Sequence, residues 1–181
     1  SSSIGYYTEA SGNYSFAEGY MTNATGSSSA AFNNSTTASG SYSSAFGFQT
    51  TATNMYAFSQ GYASDAEGAG SIATGLNTTA VGMYSFSSGS NSTAAGMYSF
   101  TAGYATTAPS LCEFVVGMNN TTYTGNTSSF IATNRIFVVG NGSSSSDKSN
   151  ALTVLKNGNV GIGVDAPTYT LAVSGTAAKT G

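Results

Sequence analysis

Two short stretches in the middle of the chain, Ser-Ile-Ala-Thr-Gly at 71–75 and Thr-Thr-Ala-Val-Gly at 78–82, decide the fold. Both end on a glycine, and the same pattern recurs on either side of them. From Gly5 to Gly103 every seventh residue is glycine, except for asparagine at positions 33 and 54. Glycine and asparagine are the residues that best tolerate a left-handed backbone. We therefore expect a turn at each of these positions.

A second and stricter period of fourteen residues overlies the first. Alanine never varies at one position of the fourteen, and Thr or Ser stands two residues before it. The alanines are Ala10, Ala24, Ala38, Ala52, Ala66, Ala80, Ala94 and Ala108. The residues before them are Thr8, Thr22, Thr36, Thr50, Ser64, Thr78, Ser92 and Thr106. The repeating unit is therefore fourteen residues long and consists of two similar halves.

The alternation within each half has the two-residue period of a β-strand. Short strands at a fixed spacing, with a turn at each end, are typical of a solenoid in which each coil stacks on the one before. The sequence thus predicts an all-β fold, a parallel β-roll or β-solenoid with 14-residue coils. At about 4.8 Å per coil, the eight coils would form a rod of roughly 40 Å.

The alternation also assigns side chains to the two faces of the strands. Small Ala, Ser and Thr side chains occupy one face, which we expect to fill the inside of the roll. The other face carries one bulky apolar residue in every coil. Such constant volume is typical of a confined interior, because overpacking and cavities both lower stability. We predict that this face lies against an axis shared between chains, with these residues on it: Ile4, Phe16, Phe32, Phe46, Phe58, Ile72, Phe86, Phe100 and Phe114.

Composition and charge argue against several classes of function. Only 6% of the residues are charged, where about 25% is usual. All four basic residues follow position 134. A nucleic-acid partner needs clustered Lys and Arg, so none is expected. No apolar run approaches the roughly 18 residues of a membrane-spanning helix, so membrane insertion is not expected.

Catalytic chemistry has few candidate residues in this chain. Without histidine, neither a Ser-His triad nor a histidine metal site can form. The best acid pair is Asp65 and Glu67, which share a strand face, and we interpret it as a solvated turn edge. We predict no enzymatic activity, no catalytic or metal site and no cofactor. The single cysteine, Cys112, is expected to be a small packed residue.

The sequence divides into three segments. The repeats occupy 1–110. Residues 111–147 are predicted to form a capping coil, which contains the strand 111–117, and a connector with a second apolar strand at 135–140. Residues 148–181 are predicted to form a β-hairpin neck, with a turn at Asn157-Gly158-Asn159 and a further strand at 169–173, leading to a C-terminal tip or chaperone beyond the given sequence.

Tyrosines recur at the ends of the coils. One column contains Tyr14, Tyr42, Tyr56, Tyr84 and Tyr98, and a second contains Tyr6, Tyr20, Tyr62 and Tyr104. Tyr offers a large contact area with a polar tip, so the first column is a candidate aromatic ladder for ligand binding. The alternative interpretation is that these rings only stack between coils and stabilise the turns.

The quoted repeat at 71–82 resembles the S-x-A-x-G head repeats of trimeric autotransporter adhesins of the YadA-like type. The stretches 137–142 and 149–163 look like the segment that follows such heads in phage tail-fibre-like proteins associated with an endosialidase-type chaperone, including fibres of predatory bacteria. The resemblance implies a homotrimer of left-handed parallel β-rolls with an adhesive role. The membrane anchor and coiled-coil stalk of the adhesin family have no counterpart in this sequence, which favours a tail-fibre-like relative.

These observations predict a trimeric fibre or adhesin module that forms a rigid shaft or head and mediates or presents surface attachment. Its expected partner is a cell-surface glycan or envelope component, and its expected location is extracellular, on a phage tail or a bacterial surface. Ice binding through the threonine column at 8, 22, 36 and 50 is the alternative. Two observations weigh against it: Ser64 and Ser92 interrupt the column, and the column lies on the face expected inside the roll. A polysaccharide-cleaving solenoid would need several acids on one face, and the repeats carry only four, which are scattered.

Overall fold

The computed structural model of the protein describes residues 1–175, which form strands and turns and no helix. The predicted all-β solenoid with 14-residue coils is confirmed. Each of the first eight coils contains one long strand, a turn, one short strand and a second turn, and the ninth coil contributes a long strand only. The long strands and the short strands form two separate parallel sheets.

The first sheet begins with nine long strands that stack in sequence order. Each residue pairs with the residue fourteen positions later, so that Ile72 lies beside Phe86 and Gly75 beside Gly89. The nine strands are β1 (Ser2–Tyr6), β3 (Phe16–Tyr20), β5 (Ala30–Asn34), β7 (Ser44–Phe48), β9 (Phe58–Tyr62), β11 (Ile72–Leu76), β13 (Phe86–Ser90), β15 (Phe100–Tyr104) and β17 (Phe114–Met118).

The second sheet contains eight two-residue strands in the same order. In each of them an outward-facing residue precedes the invariant alanine, which points inward. The strands are β2 (Glu9–Ala10), β4 (Asn23–Ala24), β6 (Thr37–Ala38), β8 (Thr51–Ala52), β10 (Asp65–Ala66), β12 (Thr79–Ala80), β14 (Thr93–Ala94) and β16 (Thr107–Ala108).

The space between the two sheets is thin and filled by small side chains. Ala17, Ala31 and Ala45 from the long strands and Ala24 and Ala38 from the short strands are all completely buried. The Ser and Thr residues of the predicted inner face are buried with them from the second coil onward. The assignment of small residues to the inside of the roll is therefore confirmed.

The turns lie only partly where the glycines predicted them. Every residue whose number is a multiple of seven, from Tyr7 to Asn119, has a left-handed φ between 43° and 64°. Apart from Gly70, these residues all carry a side chain, although a left-handed backbone is uncommon for non-glycine residues. The left-handed residue thus lies two positions after each glycine position. The turn prediction holds for one glycine column, in which the Ser85 amide, for example, donates to the Gly82 carbonyl across the turn. It is wrong for the other column, whose glycines, such as Gly75, lie within the long strands.

The glycines instead mark places where one coil closely approaches the next. A Cβ atom added to Gly75 would lie 2.1 Å from the carbonyl oxygen of Gly89, and one added to Gly82 would lie 2.0 Å from that of Gly96. Gly75 also has a φ of +127°, which L-residues rarely adopt. The seven-residue period of the glycines thus reflects close contact between coils. In every second glycine column the backbone also has an unusual conformation.

After the nine coils, the first sheet continues without a break across the segment boundaries expected at 110 and 147. Strand β18 (Arg135–Asn141) adds parallel to β17. Strands β19 (Asn150–Leu155) and β20 (Val160–Ile162) form the predicted hairpin, and β21 (Leu171–Val173) pairs parallel with β20. The end of the predicted neck, 176–181, lies outside the described residues.

Candidate functional site

One side of the 13-stranded sheet carries a continuous row of aromatic and aliphatic side chains. The residues predicted for the shared axis lie on this outer face, one in each of the nine coils. They are half-buried by their neighbours, except that Ile4 and Phe114 are more exposed. The phenylalanine rings contact one another from Phe16 to Phe58 and from Phe86 to Phe114, for example at 4.8 Å between Phe32 and Phe46 and 4.5 Å between Phe100 and Phe114. The row is therefore ordered within a single chain but is left uncovered by it.

The row continues over the last four strands. Phe114 packs against Phe137 with ring centres 5.7 Å apart. Directly paired residues in a sheet point to the same face, and the observed register therefore extends this face from Phe137 as far as Val173. We call the nine coil residues and these additions the apolar face; the additions are Phe137, Val139, Leu152, Val154, Val160, Ile162, Leu171 and Val173.

Sequence reasoning missed this extension although a signal for it was present. The strands at 150–155 and 160–162 alternate apolar and polar or small residues as the coils do, but they are not in the 14-residue register. Their place on the same face depends on the hairpin pairing of Leu152 with Ile162, a contact that periodicity alone does not provide. Thirteen strands at about 4.8 Å give the apolar face a length of roughly 60 Å.

The candidate ligand-binding ladder lies along one edge of the solenoid, at the turn that leads into each long strand. Tyr14, Tyr42, Tyr56, Tyr84 and Tyr98 all have left-handed backbones and are more than half exposed. Tyr42 stacks on Tyr56 at 5.2 Å, and Tyr84 stacks on Tyr98 at 5.6 Å. The sequence left exposure of these tyrosine rings and their stacking between coils as alternatives. In the structure the same rings are both exposed and stacked.

The ladder has two interruptions and ends on the cysteine. Ser28 and Gly70 occupy the same turn position in the coils that lack tyrosine there. Cys112 follows Tyr98 in the column and is exposed. The prediction of a packed cysteine is therefore wrong, because this position lies at the outer tip of a turn. The second tyrosine column, at the other edge, stacks in part, with Tyr6 lying 5.5 Å from Tyr20.

The threonine column proposed for ice binding points into the roll. Thr22, Thr36 and Thr50 are completely buried, and Thr8 is half-buried in the first coil. A different column, on the outside of the second sheet, is half-exposed and paired in register; it contains Thr37, Thr51, Thr79, Thr93 and Thr107. Asp65 interrupts this outer column.

A cluster of charged and polar side chains closes the roll at its last coil. Glu113 occupies the position that serine holds in most other coils, and it is completely buried. The Ser110 amide and the Tyr123 hydroxyl each donate a hydrogen bond to Glu113 Oε2 at 3.0 Å. The Arg135 guanidinium lies 4.3 Å from the centre of the Tyr123 ring. Lys156 Nζ donates to the Ser110 hydroxyl at 3.1 Å.

Burial dominates the electrostatics of this cluster. It raises the pKa of Glu113 from 4.5 to about 7, although the hydrogen bonds from Ser110 and Tyr123 and the charge of Arg135 oppose the shift. Burial also raises the pKa of Tyr123 to about 12 and lowers that of Lys156. The sequence signal for the cluster was an outlier in the period of fourteen, a glutamate in a column of serines.

Replacing Glu113 with glutamine is expected to stabilise the protein in alkaline solution. Because the folded-state pKa lies above the unfolded value, the stability contribution of this group falls as pH rises from about 4.5 to about 7. That loss is about 3 kcal/mol. Glu113→Gln removes it, so urea unfolding should show the variant more stable at pH 8 and nearly equal to the wild type at pH 4.5. An unchanged stability difference between these two pH values would contradict the assignment.

The acid pair does not assemble into a larger site. Asp65 lies in β10 with Glu67 two residues later, and residues 1–175 contain no group of three or more His, Cys, Asp or Glu side chains placed to hold a metal ion. Over the same residues there is no helix long and apolar enough to cross a membrane. No family model matches the chain, and a search of curated proteins also finds no match.

Proposed function

We propose that this chain is a non-enzymatic module of a homotrimeric fibre or adhesin, in which three copies pack their apolar faces around a common axis. The observation that carries the proposal is the apolar face itself, which spans all thirteen strands of the sheet. Soluble monomers rarely expose a contiguous apolar surface of this extent without a partner. A second and third copy offer the same flat, regularly spaced surface, as closed rotational symmetry requires.

The thin interior of each coil also favours association. The residues buried between the sheets are mostly alanine, serine and threonine, which remove little apolar surface from water compared with a core of Leu, Ile or Phe. The largest apolar side chains of the coils lie on the apolar face, where a single chain leaves them partly hydrated. Fully burying a Phe or Ile side chain contributes about 1.5–3 kcal/mol, so covering one residue per coil would add substantially to stability.

The sequence resemblance to YadA-like head repeats and tail-fibre-like segments supports the same proposal. It suggests an extracellular location, on a phage tail or a bacterial surface, and a role in attaching to a cell envelope. A rod of stacked coils suits a shaft or head that holds a recognition surface away from its base. The tyrosine ladder is the candidate contact surface, because its rings are exposed and form two stacked pairs, Tyr42 with Tyr56 and Tyr84 with Tyr98.

The attachment role is tested by removing part of the ladder. The double variant Tyr42→Ser/Tyr56→Ser introduces serine, which is compatible with this turn because Ser28 already occupies it in another coil. We expect its binding to cell-envelope fragments, measured with fluorescently labelled protein, to weaken by about tenfold, because two stacked aromatic contacts are lost. Tyr169→Ser, which removes an exposed tyrosine outside the ladder, is the control and should bind normally. Equal binding by all three proteins would exclude the ladder as the attachment surface.

Ice binding is the second candidate function, and one observation favours it. The outer threonine column at 37, 51, 79, 93 and 107 is regularly spaced and half-exposed, unlike the buried column that the sequence suggested. Asp65 and the exposed Glu67 place charges in the middle of this face. A freezing assay separates the two functions, because an ice-binding protein produces thermal hysteresis and a fibre module does not.

A further inference from the structure

A shallow cavity of about 450 Å³ lies at the edge of the solenoid between its first two coils. It is lined by Tyr7, Tyr20, Met21 and Asn23, and apolar surface dominates the lining. Tyr20 ends β3 and Asn23 begins β4, so the cavity occupies the corner where the chain passes from the first sheet to the second. None of these four residues belongs to the ladder on the opposite edge.

The two tyrosine rings of this cavity are held in place by a third. Tyr6 stacks on Tyr20 with ring centres 5.5 Å apart and planes 10° from parallel. Tyr6 also contacts Tyr7 edge to face, at 4.3 Å and 81°. Tyr7 is 73% exposed and Tyr20 is 45% exposed. The cavity therefore offers two pre-positioned aromatic surfaces that remain accessible to solvent.

The polar groups around the cavity are an amide and a neighbouring carboxylate. The backbone of Asn23 is fixed by its amide, which donates to the Thr36 carbonyl at 2.9 Å. Its side-chain amide makes no hydrogen bond to any residue in 1–175, which leaves two donors and an acceptor for a ligand. Glu9 pairs directly with Asn23 in the second sheet. Lys and Arg are absent before position 135 in the sequence, so no cation of the repeats offsets this carboxylate.

We propose that this cavity binds the neutral pyranose ring of a saccharide. A pyranose presents an apolar C–H face that can lie on a tyrosine ring, and its edge carries hydroxyl groups that an amide can both donate to and accept from. Aromatic walls with a few fixed polar groups are typical of small-ligand sites. The carboxylate of Glu9 disfavours an acidic sugar, because like charges repel. This inference rests on the proposed attachment function, to which it adds a ligand class.

The chain contains its own comparison for this site. Three coils further on, the equivalent positions hold Gln49, Tyr62, Ala63 and Asp65. Tyr62 stacks on Phe48 at 5.0 Å, much as Tyr20 stacks on Tyr6. That corner has one tyrosine ring rather than two, and it has a carboxylate in place of the amide. Tyr62→Ala therefore removes the same kind of ring from the same kind of turn without touching the cavity.

The test measures saccharide binding to the protein in its assembled state. Methyl mannoside, methyl galactoside, N-acetylglucosamine and glucose oligomers serve as neutral probes, and N-acetylneuraminic acid serves as the acidic probe, each by calorimetry and saturation-transfer NMR. We expect at least one neutral probe to bind with a Kd on the order of 1 mM or tighter. Tyr20→Ala should weaken that binding by about tenfold or more, while Tyr62→Ala should leave it unchanged.

Three results would overturn the inference: no binding of any neutral probe, binding that survives Tyr20→Ala, or a preference for the acidic probe. Light scattering on the same samples measures the oligomeric state, so a failure of the saccharide site can be distinguished from a failure of the proposed fibre function. A trimer that binds no sugar contradicts only the saccharide site, whereas a monomer contradicts the fibre whatever it binds. Asn23→Asp provides a second variant, because it removes the two amide donors and should weaken neutral-sugar binding without removing a ring.

Discussion

Replacing Phe100 with aspartate is expected to convert the assembled protein into single chains. Phe100 lies in the middle of an aromatic stack, with ring centres 5.0 Å from Phe86 and 4.5 Å from Phe114. In a trimer, three carboxylates would be brought together at the axis in an apolar setting. Burying an unpaired charge costs far more than a lost contact, and like charges add repulsion. Size-exclusion chromatography with light scattering should show the mass falling to that of one chain, 18.1 kDa.

Thr93→Asp is the matched control for this variant. Thr93 is half-exposed on the outside of the second sheet, in a column that already contains Asp65. The same charge is thus introduced in a neighbouring coil but away from the apolar face. We expect the control to keep the mass of the wild type. A Phe100→Asp variant that remains folded and trimeric would exclude this face as the interface.

Replacing Gly75 with alanine is expected to be among the most damaging small substitutions in the coils. The new Cβ would lie 2.1 Å from the backbone carbonyl oxygen of Gly89, and neither atom can rotate away. The backbone there also has a φ of +127°, which an L-residue rarely adopts. Strain of this kind costs about 1–3 kcal/mol, and forced overpacking costs a similar amount, so we expect a loss of about 4 kcal/mol.

Gly158→Ala isolates one of the two causes. Gly158 has a φ of +90° in the hairpin turn, but no heavy atom lies within 4 Å of its added Cβ. Only the backbone strain applies, and the expected loss is about 1–2 kcal/mol. Chemical unfolding of both variants at one chain concentration compares them, since the stability of an oligomer depends on concentration. Equal losses would show that the close approach between coils has no energetic weight.

The fold of the coils could be predicted because every signal in them repeats. The alternation at 71–75 and 78–82 assigns strand and face, and the invariant alanines give the length of the coil. The structure places the small residues inside the roll and the bulky ones outside, as expected. A single motif is weak evidence for this fold, but the same register repeated in all nine coils makes the prediction specific.

The turn geometry could not be predicted in the same way. The left-handed residues include Tyr84, Ala63 and Gln49, whose side chains carry no preference for such a backbone. Their conformation is imposed by the hydrogen bonds between coils, such as the one from the Tyr84 amide to the Ala69 carbonyl. The composition therefore predicted left-handed turn residues at the glycines. In most coils, however, glycine is required there because the next coil lies too close for a side chain.

The candidate sites differ in how far the sequence revealed them. The ladder and the coil part of the apolar face follow directly from periodicity. The continuation of the apolar face into β19–β21 depends on hairpin register, and the cavity depends on the way Tyr6 positions Tyr7 and Tyr20. The hairpin pairing and the edge-to-face contact of Tyr6 with Tyr7 have no counterpart in the other coils, so the repeat does not predict them.

The mass of the wild-type particle in solution tests the central claim most directly. Light scattering at micromolar chain concentration should give about three times the chain mass of 18.1 kDa. A well-folded protein that stays at the mass of one chain would mean that the apolar face from Ile4 to Val173 needs no second and third copy, and the fibre proposal would have to be abandoned.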